Sequence, residues 1–162
     1  MEVEYRGLKL RAPAEDPEHL GYFEYAGKGI LAVQRCESCG LMRASFNCAC
    51  PFCQSGSWSW TPVSGRGTIY SWSVVTQAVH PAFRDWAPYP LVLVELDEQR
   101  NVPWRGEAEG ENVSLRVIAN LVSHEDPRVP EKQENVVIGR EVEVCFVPLG
   151  QDFALPQFRI AR

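Results

Sequence analysis

Five of the six cysteines of this 162-residue chain fall within eighteen residues, from Cys36 to Cys53. Cys36-Glu-Ser-Cys39-Gly and Cys50-Pro-Phe-Cys53 are two C-x-x-C pairs with ten residues between them. Each pair can close a tight knuckle whose backbone amides point at sulfur, so that four thiolates converge tetrahedrally on one ion. Gly40 and Pro51 are turn formers where such knuckles need them. A segment this short buries too little apolar area to fold alone. Structural zinc supplies the missing free energy, on the order of 10 kcal/mol in isolated fingers. The spacing therefore assigns Cys36, Cys39, Cys50 and Cys53 to one structural zinc ion. Iron in a redox centre takes the same four ligands and stays an alternative; disulfides would suit a secreted chain, and dithiol chemistry a single pair. A four-cysteine site is coordinatively closed and offers no catalytic position. Cys48 forms a C-x-C with Cys50 but completes no second knuckle, so it is expected to stay unliganded. Cys145 lies mid-strand between Val144 and Phe146 and reads as a small packing residue.

Charge narrows the partners. The net charge is -5, and residues 67–162 carry nine basic against fourteen acidic side chains. A nucleic-acid binder draws most of its affinity from a basic surface that neutralises phosphates, so the largest part of this chain has the wrong sign. No apolar run reaches the roughly 18 residues of a membrane span. The acidic start, Met1-Glu-Val-Glu4, lacks the apolar core of a signal peptide. The expected location is cytoplasmic.

Three regions are expected: an N-terminal arm with a short helix (1–34), the cysteine region (35–62) and a β region (63–162). The arm reads as polar and irregular to Pro17. Leu20, Tyr22, Phe23 and Ala26 then recur at helical spacing, with Asp16 as N-cap, Pro17 at the first helical position and Gly27 or Gly29 as the stop. Ile30–Gln34 reads as a strand entering the first knuckle, and Trp58 and Trp60 alternate with serines as in a second. Beyond Gly65 the pattern is β throughout. Strands are expected at Thr68–Val75, Pro90–Leu96, Val113–Val122, Glu141–Val147 and Gln157–Ile160, with a short turn or helix at Val136–Arg140. Pro90–Leu96 is nearly continuous apolar, as in a central strand covered on both faces. Val142, Val144 and Phe146 are expected to face inward. Five short strands with a helical element before the fourth define a mainly β fold ending in a five-stranded OB-type barrel, with a sandwich as the alternative.

No nucleophile elbow, Walker loop or dinucleotide fingerprint is present. His80 is a candidate general base or a surface-loop histidine. Glu95, Asp97 and Glu98 are a candidate acid–base group or a solvated strand end. Gly65-Arg-Gly67 reads as a turn into a strand. The long stretch 99–111 joins two strands, and Trp104 beside Arg105 would make an interface anchor.

Taken together these residues resemble an acyl-CoA-associated family that couples a rubredoxin-like zinc ribbon to an OB-fold. The features run in order: the Tyr22-Phe23 helix, Gly29 to Gly40 with the first knuckle, Cys50-Pro-Phe-Cys53, and Gly65-Arg-Gly-Thr-Ile-Tyr70. Next come Pro81-Ala-Phe83 with Pro88-Tyr-Pro90, Val94 to Asp97, Ile138 to Val144, and Leu155 to Arg159. Two departures stand out: Ser45-Phe-Asn47 replaces a Pro-Pro-Arg-like stretch, and 99–111 reads as an insertion. The resemblance implies an accessory subunit without catalytic residues of its own. Such a subunit forms a hetero-oligomer with a thiolase-superfamily enzyme, or with a hydratase or aldolase, and shapes the CoA-ester site there. Trp86, Tyr89 and Trp104 in loops lead to the expectation of a bulky β-ketoacyl-CoA. The rival reading is a zinc-ribbon/OB module that binds nucleic acid.

Overall fold

The computed structural model describes residues 2–11, 16–44, 46–100 and 113–162. The chain opens with a hairpin, β1 (Glu2–Tyr5) and β2 (Leu8–Arg11), where an irregular arm was expected. The sequence signal for it is the turn: Arg6 and Gly7 both take positive φ, 50° and 76°, the pattern a two-residue hairpin loop needs. Helix α1 (Pro17–Gly27) follows, with Pro at its start, where a missing N–H costs nothing. Asp16 occupies the N-cap position without a side-chain capping bond; its carboxylate instead lies 2.7 Å from His19 Nδ1.

β3 (Leu31–Cys36) is the centre of a three-stranded antiparallel sheet, flanked by β4 (Met42–Arg43) and β5 (Trp58–Val63). The remaining strands are β6 (Arg66–Val75), β7 (Tyr89–Leu96), β8 (Arg116–Asn120), β9 (Glu141–Pro148) and β10 (Ala154–Ile160). They form one sheet in the order β10-β9-β6-β7-β8. A parallel bridge between Leu121 and Phe158 joins its two ends, with Val122 N–H donating to Phe158 O at 2.8 Å. This is the closed five-stranded connectivity of an OB-fold. A register shift at Tyr70 bends β6 so that its first residues pair with β9 while its length pairs with β7. Pro156 sits inside β10, the end strand of that order, where a missing donor is tolerated.

The barrel interior holds Ile69, Val92, Val94, Leu96, Val117, Leu121, Val142 and Phe158, and Leu31 and Val33 of β3 pack into the same cluster. Ribbon and barrel therefore share one core. Val144 and Phe146 lie partly buried against it as expected, while Cys145 and Val147 on the opposite face of β9 are buried under other layers. The expectation that β7 is covered on both faces needs correction. Val92, Val94 and Leu96 are buried, but Leu91 and Leu93 on the other face are only half-buried.

The hairpin and α1 cover one end of the barrel. Val3, Tyr5, Leu20 and Phe23 pack on Ala82 and Phe83 of the β6–β7 loop and on Leu149 and Phe153 of the β9–β10 loop. A Cβ on Gly27 would lie 2.1 Å from Asp152 O, so α1 reaches the second loop only through a glycine. Among the described residues no helix is long and apolar enough to cross a membrane.

Candidate metal centre and its surroundings

The two knuckles are built alike. In the first, Gly40 N–H donates to Cys36 O at 2.8 Å and Cys36 N–H to Leu41 O at 2.9 Å. In the second, Gln54 N–H donates to Cys50 O at 2.9 Å and Cys50 N–H to Ser55 O at 2.8 Å. Gly40 and Gln54 hold equivalent places and both adopt positive φ, 77° and 61°. Each turn aims amides at sulfur: those of Ser38 and Cys39 at Cys36, those of Phe52 and Cys53 at Cys50.

The four Sγ atoms of Cys36, Cys39, Cys50 and Cys53 lie within 4.8 Å of one another. Cys36 and Cys53 approach to 3.5 Å and Cys39 and Cys50 to 3.6 Å. Tetrahedral zinc with sulfur at about 2.3 Å requires S···S distances of roughly 3.8 Å, so the donor set and its spacing fit a metal ion. The electrostatics of the four thiols agree. The Cys39 amide and the neighbouring Cys53 hold the Cys36 thiol down to about 6 against the effect of burial. Burial pushes Cys39 up to about 12. Four thiolates this close cannot coexist without a cation to neutralise them. Cys48 is exposed and is not part of the group. Cys145 is buried with Ala78, Trp86, Tyr89 and Val122, and that burial pushes its thiol up to about 11.

Three features hold the ribbon to the rest of the chain. Gln34, fully buried, accepts from Arg43 Nε at 3.0 Å and from Asn47 N–H at 3.2 Å, while Arg43 Nη2 donates to Asn47 O at 3.1 Å. This network fixes the stretch between the knuckles, so Asn47 serves an internal role where the family resemblance has a different sequence. Phe46 sits among Tyr22, His19 and Trp60, and a Cβ on Gly21 would fall 2.2 Å from Trp60 Nε1. Gln99 supplies the third link. Its carboxamide accepts from Met42 N–H at 3.0 Å and donates to Met42 O at 2.9 Å, completing the outer edge of β4 as a neighbouring strand would. Gln99→Ala is expected to free both groups at a cost of about 1–3 kcal/mol and to speed hydrogen exchange at the Met42 amide while Val94 stays protected. Unchanged exchange at Met42 would refute the strap. Nothing in a lone glutamine at a strand end marks it for this role.

The remaining candidates resolve into structural parts. His80 Nδ1 accepts from Ala82 N–H at 3.2 Å and caps the 3₁₀ turn Pro81–Phe83. Glu95 pairs with Arg116 at 3.1 Å, Asp97 with Arg100 at 2.6 Å, and Glu98 accepts from Ser64 N–H. These carboxylates are tied into ion pairs and turns rather than set as an acid and a base. Trp86 and Tyr89 are buried in an aromatic cluster with Phe83. They present no surface to a bulky acyl group, contrary to the expectation above. Trp104 and Arg105 lie outside the described residues.

A closed four-cysteine ribbon fused through a common core to an OB barrel defines the class of protein. A family model for the ChsH2 C-terminal OB-fold domain matches residues 60–147. A DUF35 domain-containing scaffold protein of Methanothermobacter thermautotrophicus is 34% identical over 117 residues, spanning 72% of this chain and 71% of that one. The chain belongs to this ChsH2/DUF35 OB-fold family. A probable enoyl-CoA hydratase alpha subunit of Thermomonospora curvata is 32% identical over 149 residues, which are 92% of this chain and 39% of the relative's length. Among solved structures, the Ltp2-ChsH2(DUF35) aldolase matches with a TM-score of 0.66 at 29% identity, covering 92% of this chain and 98% of that one. A DUF35-family protein of unknown function from Sulfolobus solfataricus shares the fold at 10% identity, with a TM-score of 0.51 and coverage of 90% and 86%.

Proposed function

We propose that this chain is a non-catalytic, zinc-binding OB-fold subunit of a cytoplasmic acyl-CoA-processing assembly, docking on a thiolase-superfamily enzyme and shaping its CoA-ester site. Zinc would be held by Cys36, Cys39, Cys50 and Cys53 and would stabilise the ribbon (residues 35–62) between the arm (1–34) and the barrel (63–162). The observation that carries the reading is similarity over nearly the whole chain to the DUF35 component of an aldolase assembly. The closed, fully protein-ligated cysteine centre is of the structural kind. The partner would supply the nucleophile and base for thiolysis or condensation of a β-ketoacyl-CoA. The similarity to a hydratase alpha subunit favours a second reading, an accessory subunit of a hydratase or aldolase acting on the same class of thioester.

The nucleic-acid alternative is disfavoured by the covered end of the barrel. OB-folds bind oligonucleotides on their second and third strands and on the loops after the first and fourth. Here both of those loops are packed beneath the N-terminal hairpin and α1, and the outer face of β7 and β8 presents aliphatic Leu91, Leu93 and Ile118. Purification from the native host at endogenous levels tests the proposal: a stoichiometric acyl-CoA enzyme in the eluate is expected. A chain that elutes alone, or that binds single-stranded DNA tightly in fluorescence anisotropy at low salt, would overturn it.

A further inference from the structure

The outer face of β6, β7 and β8 carries a shallow hollow of about 180 Å³ whose lining includes Ser71, Ser73, Leu91, Leu93 and Ile118. Ile118 is 69% exposed. The register explains why they meet: Leu93 stands opposite both Ser71 and Ile118, and Leu91 opposite Ser73. Two small serines on β6 leave room above the two leucines of β7. No charged side chain lines the hollow, although 23% of the chain is charged. Charge returns at its border, where Glu95 pairs with Arg116 and Arg116 stacks on Tyr70 at 3.6 Å. A charge-free, aliphatic centre beside a charged rim is the anatomy of a protein–protein interface.

We infer that this face is where the chain docks on its enzyme partner, against an uncharged apolar surface of that subunit. The inference rests on the function proposed above. Charge selects the occupant. An oligonucleotide needs cations that the hollow lacks. The lining residues all fall within 60–147, the segment that matches the ChsH2 OB-fold family, so the face is built from the part shared with a component of an aldolase assembly. Val79, 94% exposed, lies on a separate hollow with Thr76, Gln77 and Arg84.

The test uses the full chain and the enzyme that co-purifies with it, mixed as purified proteins and followed by sedimentation velocity. Ile118→Glu is expected to weaken the complex at least 100-fold. Val79→Glu should bind as the unsubstituted chain does. In the unsubstituted complex, hydrogen exchange in 90–94 and 116–120 should slow. Metal content and Tm of Ile118→Glu should be unchanged, since its side chain points to solvent. Full binding by Ile118→Glu would overturn the docking face and leave the proposed function standing. Self-association of the chain alone, abolished by Ile118→Glu, would assign the face to a second copy and overturn the inference. Absence of any complex with the unsubstituted chain would overturn both.

Discussion

Cys36→Ser is expected to abolish metal retention and unfold the ribbon, whereas Cys48→Ser retains both. Removing one of four thiolates breaks the closed coordination on which the segment depends, because it has little apolar core of its own: among the described residues its local buried cluster is Cys36, Leu41 and Cys50, with Cys39 and Val113 partly buried against it. With structural zinc supplying on the order of 10 kcal/mol in isolated fingers, loss of the site is comparable to the whole stability of a typical domain. The damage will not stop at the ribbon. Leu31 and Val33 lie on the strand leading into the first knuckle and are buried in the barrel core, so the barrel's Tm should fall as well. Bound zinc measured by mass spectrometry and near-ultraviolet circular dichroism from Trp58 and Trp60 report the two effects separately. Equal metal loss in Cys36→Ser, Cys53→Ser and Cys48→Ser would show that the ligand set is wrong. Acidification should act in the same direction as the substitution. Metal binding displaces protons from thiols, and Cys39 is pushed well above neutrality by burial, so metal affinity rises with pH and falls as pH drops.

Gly65→Ala and Gly67→Ala are expected to destabilise the barrel by about 3 kcal/mol or more each, by different routes. Gly65 has φ +71° and a Cβ there would lie 2.2 Å from Val144 Cγ1, while its carbonyl accepts from Val144 N–H at 2.8 Å. An added methyl group meets both backbone strain and a side chain of β9. Gly67 has no unusual φ, but its Cβ would lie 2.2 Å from Glu95 O on β7, and a backbone carbonyl in a paired strand cannot move aside. The Gly-Arg-Gly segment is thus the point where β6 is squeezed between β7 and β9 at the start of the barrel. Urea denaturation followed by the tryptophans measures the loss. A change below about 1 kcal/mol at both positions would show that the strands are not packed so closely.

Much of this architecture was legible because it depends on local spacing. A C-x-x-C knuckle is a few residues long, so Cys36, Cys39, Cys50 and Cys53 could be grouped from sequence, and the structure brings the same four sulfurs together. Pro17 and the apolar spacing after it placed α1, alternation placed β6 and β9, and a nearly continuous apolar run placed β7. Missed elements were short or carried contrary signals. The strands of the N-terminal hairpin are four residues each, and Pro156 concealed the first half of β10. The third barrel strand begins at Arg116 rather than Val113, because Val113 packs towards the knuckle cluster instead of joining the ladder.

The sequence by itself determined the cysteine set, the β character of the chain and the unfavourable charge for nucleic acid, since each follows from neighbours along the chain or from composition. Only the tertiary structure decided that ribbon and barrel share a core, that Gln99 straps β4, that the hairpin covers the loop end of the barrel, and that Leu91, Leu93 and Ile118 are left open. The physical reason is the two-residue period of a strand. An unbroken apolar run such as Leu91 to Val94 fills both faces of the sheet with the same kind of side chain, and only the layers packed around it determine which face is covered.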